Sequence, residues 1–317
     1  MPDNISLVAD IGGTNARFAW VEQGQVVLRD IKVYQAIEYP GLMDALQAYL
    51  QDFSLTVPQK ICFAIAGMVN GDHINLMNNH WSFSKSQLSA DLGVEVTVIN
   101  DFSAQAYSID CLPSEHIHWL GEPRPAGGEP RTVIGPGTGL GVAIQSADGE
   151  LIPSEGGHVS FAPHNAHEDD LLRLLRKRLG GRISNERLLS GQGLENLYWA
   201  NAQLQGKQST RSAPQVVDGC AQGDSICRQA LDDFVMILAS VCGDLALLTL
   251  SSGGVYLTGG ILPRVWQWFD TDAFRTRFAD KGRYRAFCET VPVAMIRAEQ
   301  PGLLGCAAAL GGRREDR

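Results

Sequence analysis

Asp10 closes an apolar run, Leu7 to Ala9, and is followed by Ile11, Gly12, Gly13, Thr14 and Asn15 before a second alternating run through Trp20. This reads as a strand ending in a carboxylate, a Gly-Gly-Thr-Asn turn, and a strand running back. Such a turn exposes backbone N–H groups, and without a Cβ on Gly12 and Gly13 a phosphate can approach the main chain. A carboxylate in the place of Asp10 can hold a water on a Mg²⁺ ion. A plain hairpin with an Asn/Gly turn and no ligand fits the same residues.

A second stretch repeats the pattern. Thr132 to Pro136, Gly137-Thr138-Gly139 and Leu140 to Gln145 again run strand, turn, strand. Two such hairpins suggest a duplicated architecture holding a nucleotide. Neither is a Walker loop, because no Gly-Lys-Ser/Thr triplet opens a helix, and Val142-Ala143-Ile144 continues as a strand where a dinucleotide fingerprint needs a helix.

Further polar residues stand where chemistry is plausible. Asn100 and Asp101 follow a strand, Glu95 to Ile99, and ligands in open α/β sheets gather at carboxyl ends of strands. A turn with a helix cap would use the same two residue types. Glu155 and His158 flank Gly156 and Gly157, a tight backbone that lets both face one ligand. A surface turn, or a metal pair recruiting His164 and His167, are the alternatives, and the lack of a nearby cysteine or third well-spaced ligand counts against metal. Glu186 falls in the first turn of a helix capped by Ser184 or Asn185, where the helix dipole favours a carboxylate in any case. Asn79, in the polar and aromatic stretch Met77 to Phe83, is of the type that meets sugar hydroxyls, and a solvated connecting loop fits the same residues. Gly259 and Gly260 end a strand starting near Gly254 and could seat the flat face of a base.

The elements needed to position these residues are legible from periodicity and caps. A third strand is expected over Val26–Val33, a helix over Gly41–Phe53 and a doubly covered strand over Lys60–Ala66. Val69-Asn70-Gly71-Asp72 reads as a hairpin signal, Ser84 as the cap of a helix through Leu92, and Ser103 or a neighbour as the start of another helix. Helices are further expected over Asp169–Leu179, Pro214–Gln222, Asp224–Leu250 and Gly302–Leu310, the last packing back on the first lobe. The Pro- and Gly-rich stretch between Asp110 and Arg131 separates the lobes.

With 317 residues, the chain can build two cores. A formal net charge of -9 argues against nucleic acid as a main partner. Seven scattered cysteines without a C-x-x-C pair fit a reducing compartment, with most of them buried as small apolar residues. The first residues lack a basic region and an apolar core, so a cytoplasmic location is expected. Phe234–Leu250, the most apolar run, is interrupted by Gly243 and Asp244 and reads as a buried helix with no membrane role.

In combination these segments resemble the bacterial ATP-dependent glucokinase family, within the sugar kinase, Hsp70 and actin superfamily. The carriers, in order along nearly the whole chain, are Asp10 to Asn15, Ile99 to Phe102, Gly135 to Gly139, Ser154 to His158, Asn185 to Gly191 and Leu257 to Gly260. The resemblance implies a two-lobed α/β fold, actin-like (ribonuclease H-like) and duplicated, with an interdomain cleft. The small domain would be 1–109 plus 300–317 and the large one 110–299. It implies Asp101 as general base toward a sugar 6-hydroxyl, with Asn79, Asn100, Glu155, His158 and Glu186 holding the sugar. ATP would lie on Gly12, Gly13, Thr14, Asn15, Gly137, Thr138, Gly139, Gly259 and Gly260, with Mg²⁺ near Asp10, through water. Relatives with a cysteine-rich zinc motif after the Gly-His differ here, because Phe161 to His167 contains no cysteine; no structural zinc is expected. The family also implies a homodimer. A kinase for another hexose or amino sugar, and a sugar-sensing regulator without catalysis, are the competing readings.

Overall fold

The computed structural model describes residues 4–67, 69–76, 79–123, 127–152 and 154–311. Met77, Asn78, Pro125 and Pro153, which fall in the loops discussed above, lie outside the described residues. The chain forms two compact units. One runs to His116 and takes back the chain from Ala298, and the other is Ile117–Arg297.

The first unit is built on β1 (Ile5–Ile11), β2 (Asn15–Glu22), β3 (Arg29–Gln35), α1 (Leu42–Asp52), β4 (Lys60–Ile65), β5 (His73–Asn75), β6 (Ser82–Ser84), α2 (Lys85–Leu92), β7 (Glu95–Asn100) and α3 (Asp101–Ser108). Its main sheet has the order β3-β2-β1-β4-β7, with β1, β4 and β7 parallel and β2 and β3 antiparallel. β1 and β4 are apolar at nearly every position because both sheet faces are covered, as expected of central parallel strands.

Three elements depart from the expected boundaries. β3 begins at Arg29, not Val26, because Val26 turns into the core beside Val8, Ala19 and Val21 and pairing starts only at Arg29↔Trp20. The turn at Gly71 exists, with φ of 79°, but β5 pairs forward with β6 instead of back across Val69–Asp72. The cause is the Asp72 carboxylate, which accepts the Ser84 hydroxyl at 2.6 Å and the Ser86 N–H at 2.8 Å. α3 starts at Asp101, two residues before Ser103, because the Asn100 Oδ1 accepts the N–H groups of Phe102 and Ser103 and so acts as the cap. Ser84 caps α2 through the Gln87 N–H as expected, and Gly93 ends it at φ of 68°.

The second unit contains β8 (Ile117–Trp119), β9 (Arg131–Pro136), β10 (Leu140–Gln145), β11 (Leu151–Ile152), α4 (Ala166–Leu179), α5 (Gly191–Leu204), α6 (Ala213–Ala221), α7 (Ser225–Thr249), β12 (Val255–Leu257), α8 (Leu262–Val265), α9 (Thr271–Ala279), α10 (Arg285–Thr290) and β13 (Val293–Ile296). Its sheet order is β11-β10-β9-β12-β13-β8. The first five strands repeat the first unit's plan, in which two antiparallel pairings precede two parallel ones. The duplication inferred from the two glycine hairpins is therefore a repeat of whole sheets. One expectation fails here. Glu186 lies in a single 3-10 turn, Asn185–Arg187, not in a longer helix. The chain before it is held extended by a bridge between Ser160 and Ser184 and by the Phe161 N–H on the Ile183 carbonyl, and helix resumes only at α5, capped by Ser190.

The last helix, α11 (Pro301–Ala309), belongs to the first unit and packs on α3 and β1. Leu303, Cys306 and Ala307 fill the core between this helix and the sheet. All seven cysteines are unpaired and buried. Among the described residues no helix is long and apolar enough to cross a membrane.

α3 and α11 touch through backbone. A Cβ added to Gly305 would lie 1.6 Å from the Ala104 carbonyl oxygen, so the helices must part to admit one. Gly305→Ala is expected to lose about 1–3 kcal/mol of stability, the usual cost of overpacking, read as a lower Tm in thermal denaturation. The same change at Gly127, where an added Cβ meets nothing within 4 Å, serves as the control.

Candidate active site

In the first unit Asp10 and Asp101 stand near the carboxyl ends of β1 and β7, with β4 between them. Burial raises the pKa of Asp10, and Arg17, its antiparallel partner across the hairpin, offsets this weakly with Nη1 at 3.9 Å from Oδ2. Gly302 in the first turn of α11 leaves room for that carboxylate, since a Cβ there would meet Oδ2 at 3.0 Å. Asp101 is pushed up to about 6, first by burial and then by the charge of Asp10, against the stabilising N–H groups of Phe102 and Asp101 itself and the Asn100 side chain. A carboxyl in this state accepts a proton readily near neutral pH. Arg17 was not anticipated, although the hairpin register that sets residue 17 opposite residue 10 is countable from the turn.

The two asparagines predicted to meet ligand also bond backbone. Asn79 donates to the Gly12 carbonyl at 3.1 Å and accepts the Trp81 N–H at 3.0 Å. Asn100 caps α3 and donates to the Gly67 carbonyl at 3.1 Å. Asn79 thereby holds the first glycine turn, whose Gly12 N–H is bonded to the Asn15 carbonyl at 2.9 Å and whose Thr14 carbonyl accepts the Ala36 N–H at 2.8 Å.

The glycines of the predicted phosphate turns fall into two kinds. A Cβ at Gly12 would meet nothing closer than 3.8 Å, and at Gly137 and Gly260 nothing within 4 Å, so packing does not demand glycine there. Open backbone of this kind suits a ligand approaching from outside the chain. Gly259 is glycine for internal reasons, since a Cβ would stand 2.4 Å from the Pro136 carbonyl oxygen at φ of 96°, whereas a Cβ at Gly139 would stand 2.6 Å from the Glu186 Oε2, the movable end of a side chain. Thr138, between Gly137 and Gly139, is exposed.

In the second unit the structure brings Glu186 and His158 together. The Glu186 Oε2 accepts the Leu140 N–H at 3.0 Å and lies 4.0 Å from the His158 Nε2. The carboxylate thus ties the glycine turn to the histidine. Arg182 donates to the His158 carbonyl at 2.6 Å, and the His158 N–H bonds to the Glu155 carbonyl at 2.9 Å. Gly157 is indispensable to this turn, since a Cβ would fall 1.9 Å from the Leu140 carbonyl oxygen. The Glu155 and His158 side chains are exposed. His164 and His167 turn elsewhere, to Asp280 and Asp233 at 3.0 Å each, and among the described residues no three His, Cys, Asp or Glu side chains gather as a metal-holding set.

A sequence profile of the glucokinase family matches residues 7–312. The glucokinase of Chromohalobacter salexigens is 44% identical over 310 residues, spanning 96% of this chain and 97% of its own. The crystal structure of a glucokinase from an Antarctic psychrotroph superimposes with a TM-score of 0.89 at 33% identity, covering 97% of this chain and 98% of that one. The chain belongs to the glucokinase family. It is a sugar kinase, a transferase, and ATP is the phosphoryl donor that the family implies. A ROK family glucokinase from Streptomyces griseus, solved with glucose and AMPPNP, shares the actin-like fold at a TM-score of 0.66 and 18% identity, covering 96% of this chain and 99% of that one.

The raised Asp101 carboxyl has a consequence for stability. Its folded pKa exceeds the unfolded value near 3.9, so the folded chain binds the proton more tightly and stability falls as pH rises from about 4 to about 6. Asp101→Asn retains an acceptor for the Phe102 N–H and removes the charge. The variant is expected to unfold at higher temperature than the parent at about pH 8, by on the order of 1–2 kcal/mol, and with no such gain at about pH 4.

Proposed function

We propose that the chain transfers the γ-phosphoryl group of Mg-ATP to the 6-hydroxyl of D-glucose, giving glucose 6-phosphate and ADP, with Asp101 as general base. The observation that carries this reading is a carboxyl held at about 6 at the end of a parallel strand, by burial and by the charge of Asp10. A sugar hydroxyl is a weak nucleophile, and positioning with charge neutralisation supplies most of the acceleration in phosphoryl transfer. The Asp101 carboxylate accepts the hydroxyl proton as the oxygen bonds to the γ-phosphorus and the bond to the ADP oxygen breaks.

The open amides around Gly12 and Gly137 are proposed to meet phosphates, with Gly13, Thr14, Asn15, Thr138 and Gly139 completing the two turns and Gly259 and Gly260 beside adenosine. The donor set fits Mg²⁺, since Asp10 is an oxygen ligand that burial leaves in need of a cation and Mg²⁺ is commonly held by one or two carboxylates with substrate phosphates. When bound, that ion offsets phosphate charge. Asn79, Asn100, Glu155, His158 and Glu186 are proposed to meet the remaining sugar hydroxyls. Asn79 and Asn100 support the reading as holders of the Gly12 carbonyl and of α3, which starts at Asp101. A cytoplasmic location and a homodimer complete the proposal.

Glucose-dependent ADP formation, measured beside a panel of hexoses, tests it. Asp101→Asn is expected to lower turnover by roughly 10²–10⁴-fold while leaving glucose affinity nearly unchanged. A variant that keeps most of its turnover would remove Asp101 from the mechanism, and turnover confined to another hexose would move the substrate.

A further inference from the structure

His164 and His167 take no part in the reaction proposed above, yet both sit at the start of α4, just beyond the segment that carries Glu155 and His158. The His167 Nε2 lies 3.0 Å from each oxygen of Asp233, a carboxylate on α7 that is only 7% exposed. Asn201 of α5 donates to the same carboxylate at 2.7 Å, and Gln229 of α7 at 2.9 Å. Of these three donors only His167 can carry a charge.

The neighbouring residue strengthens the attachment. Glu168, also buried, accepts the His164 N–H at 2.9 Å and an Arg277 N–H from α9, while Arg277 donates to the Ser240 hydroxyl of α7 at 2.5 Å. The His164 Nε2 reaches Asp280, just past α9, at 3.0 Å. From this anchor the chain runs back through the Phe161 N–H on the Ile183 carbonyl and the Asn185 N–H on the Val159 carbonyl, each 2.9 Å. These bonds lead to the His158 and Glu186 side chains on one side and to Glu155 on the other.

We propose that His167 and Asp233 form a positioning pair which, through the first turn of α4, sets the Glu155–His158 segment for sugar, and that the setting loosens when His167 loses its proton. The proposal rests on the assignment of Glu155 and His158 to the sugar. The charged groups that face His167 are Asp233 from α7 and Glu168 and Asp170 from its own helix, while Asn201 of α5 and Gln229 of α7 are neutral and Arg277 of α9 is paired with Glu168. The bond to Asp233 and the surrounding negative charge raise the His167 pKa against the opposing effect of burial. A raised histidine contributes fully below its unfolded value near 6.5, and the contribution is lost as pH rises through the folded value. The imidazole is 37% exposed, so water screens the pair and the effect is severalfold.

His167→Gln keeps an N–H for Asp233 and cannot titrate, and Asp233→Asn removes the carboxylate without changing its shape. Glucose Kd by calorimetry, with KM and kcat, is to be followed from about pH 6 to about pH 9. In the parent protein, Kd and KM are expected to rise about threefold to tenfold over this range, with kcat changing only by the roughly twofold that the titration of Asp101 brings, and in both variants the rise in Kd and KM disappears. Profiles of both variants that run parallel to the parent's would overturn the proposal, as would an effect confined to kcat. Glu155→Gln, run alongside, separates the two readings. If it leaves glucose Kd unaltered, the sugar assignment fails; if it weakens binding while the His167 and Asp233 profiles stay parallel to the parent's, only the positioning pair fails.

Discussion

Two carboxylates in a partly dry place repel each other, and the first unit is arranged around that repulsion. Asp10 and Asp101 end strands separated by β4, roughly 10 Å apart across two strand spacings. Burial raises both, the charge of Asp10 raises Asp101 further, and only a distant Arg17 at Asp10 and a few hydrogen bonds at Asp101 pull the other way. The fold tolerates this because the surrounding contacts are strong. β1 and β4 are covered on both faces, and α11 lies against α3 with Gly305 on the Ala104 carbonyl. In the proposed reaction, activity and stability pull against each other at Asp101, as is common where a buried group must change its protonation state.

The second unit repeats the sheet but not the chemistry. Where β1 carries Asp10 one residue before its end, β9 carries Gly135, and the acidic group near its glycine turn comes from a distant 3-10 turn. Glu186 reaches the Leu140 N–H and approaches His158, so it is partly a structural tie. Beside Gly139 the space for a Cβ is taken by the Glu186 carboxylate, whereas at Gly137 it is open.

Two buried carboxylates of the second unit are also engaged by several donors. Asp233 collects donors from α4, α5 and α7, and Glu168 joins α4 to α9. A buried carboxylate is tolerated only when its lone pairs are met, and meeting them fixes the mutual placement of the helices that supply the donors. The start of α4, and the chain that leads into it from His158, inherit that placement.

The sequence by itself determined the elements whose cause is local. Alternating and continuous apolar runs marked β1, β4 and the β9–β10 hairpin, Ser84 and Gly93 bounded α2, and the paired Gly-Thr turns announced a duplicated sheet. The family signature, carried by short motifs in order, was equally legible. Tertiary structure decided whatever depends on partners far along the chain. Val26 became core instead of strand because Val8 and Ala19 offered it burial, and Asp72 drew β5 to β6 through Ser84 and Ser86. Asn79 was spent on the Gly12 carbonyl, 67 residues away, and His167 on Asp233, 66 residues away. A side chain's type states what it can bond to, but which bond it makes depends on what folding brings within about 3 Å of it.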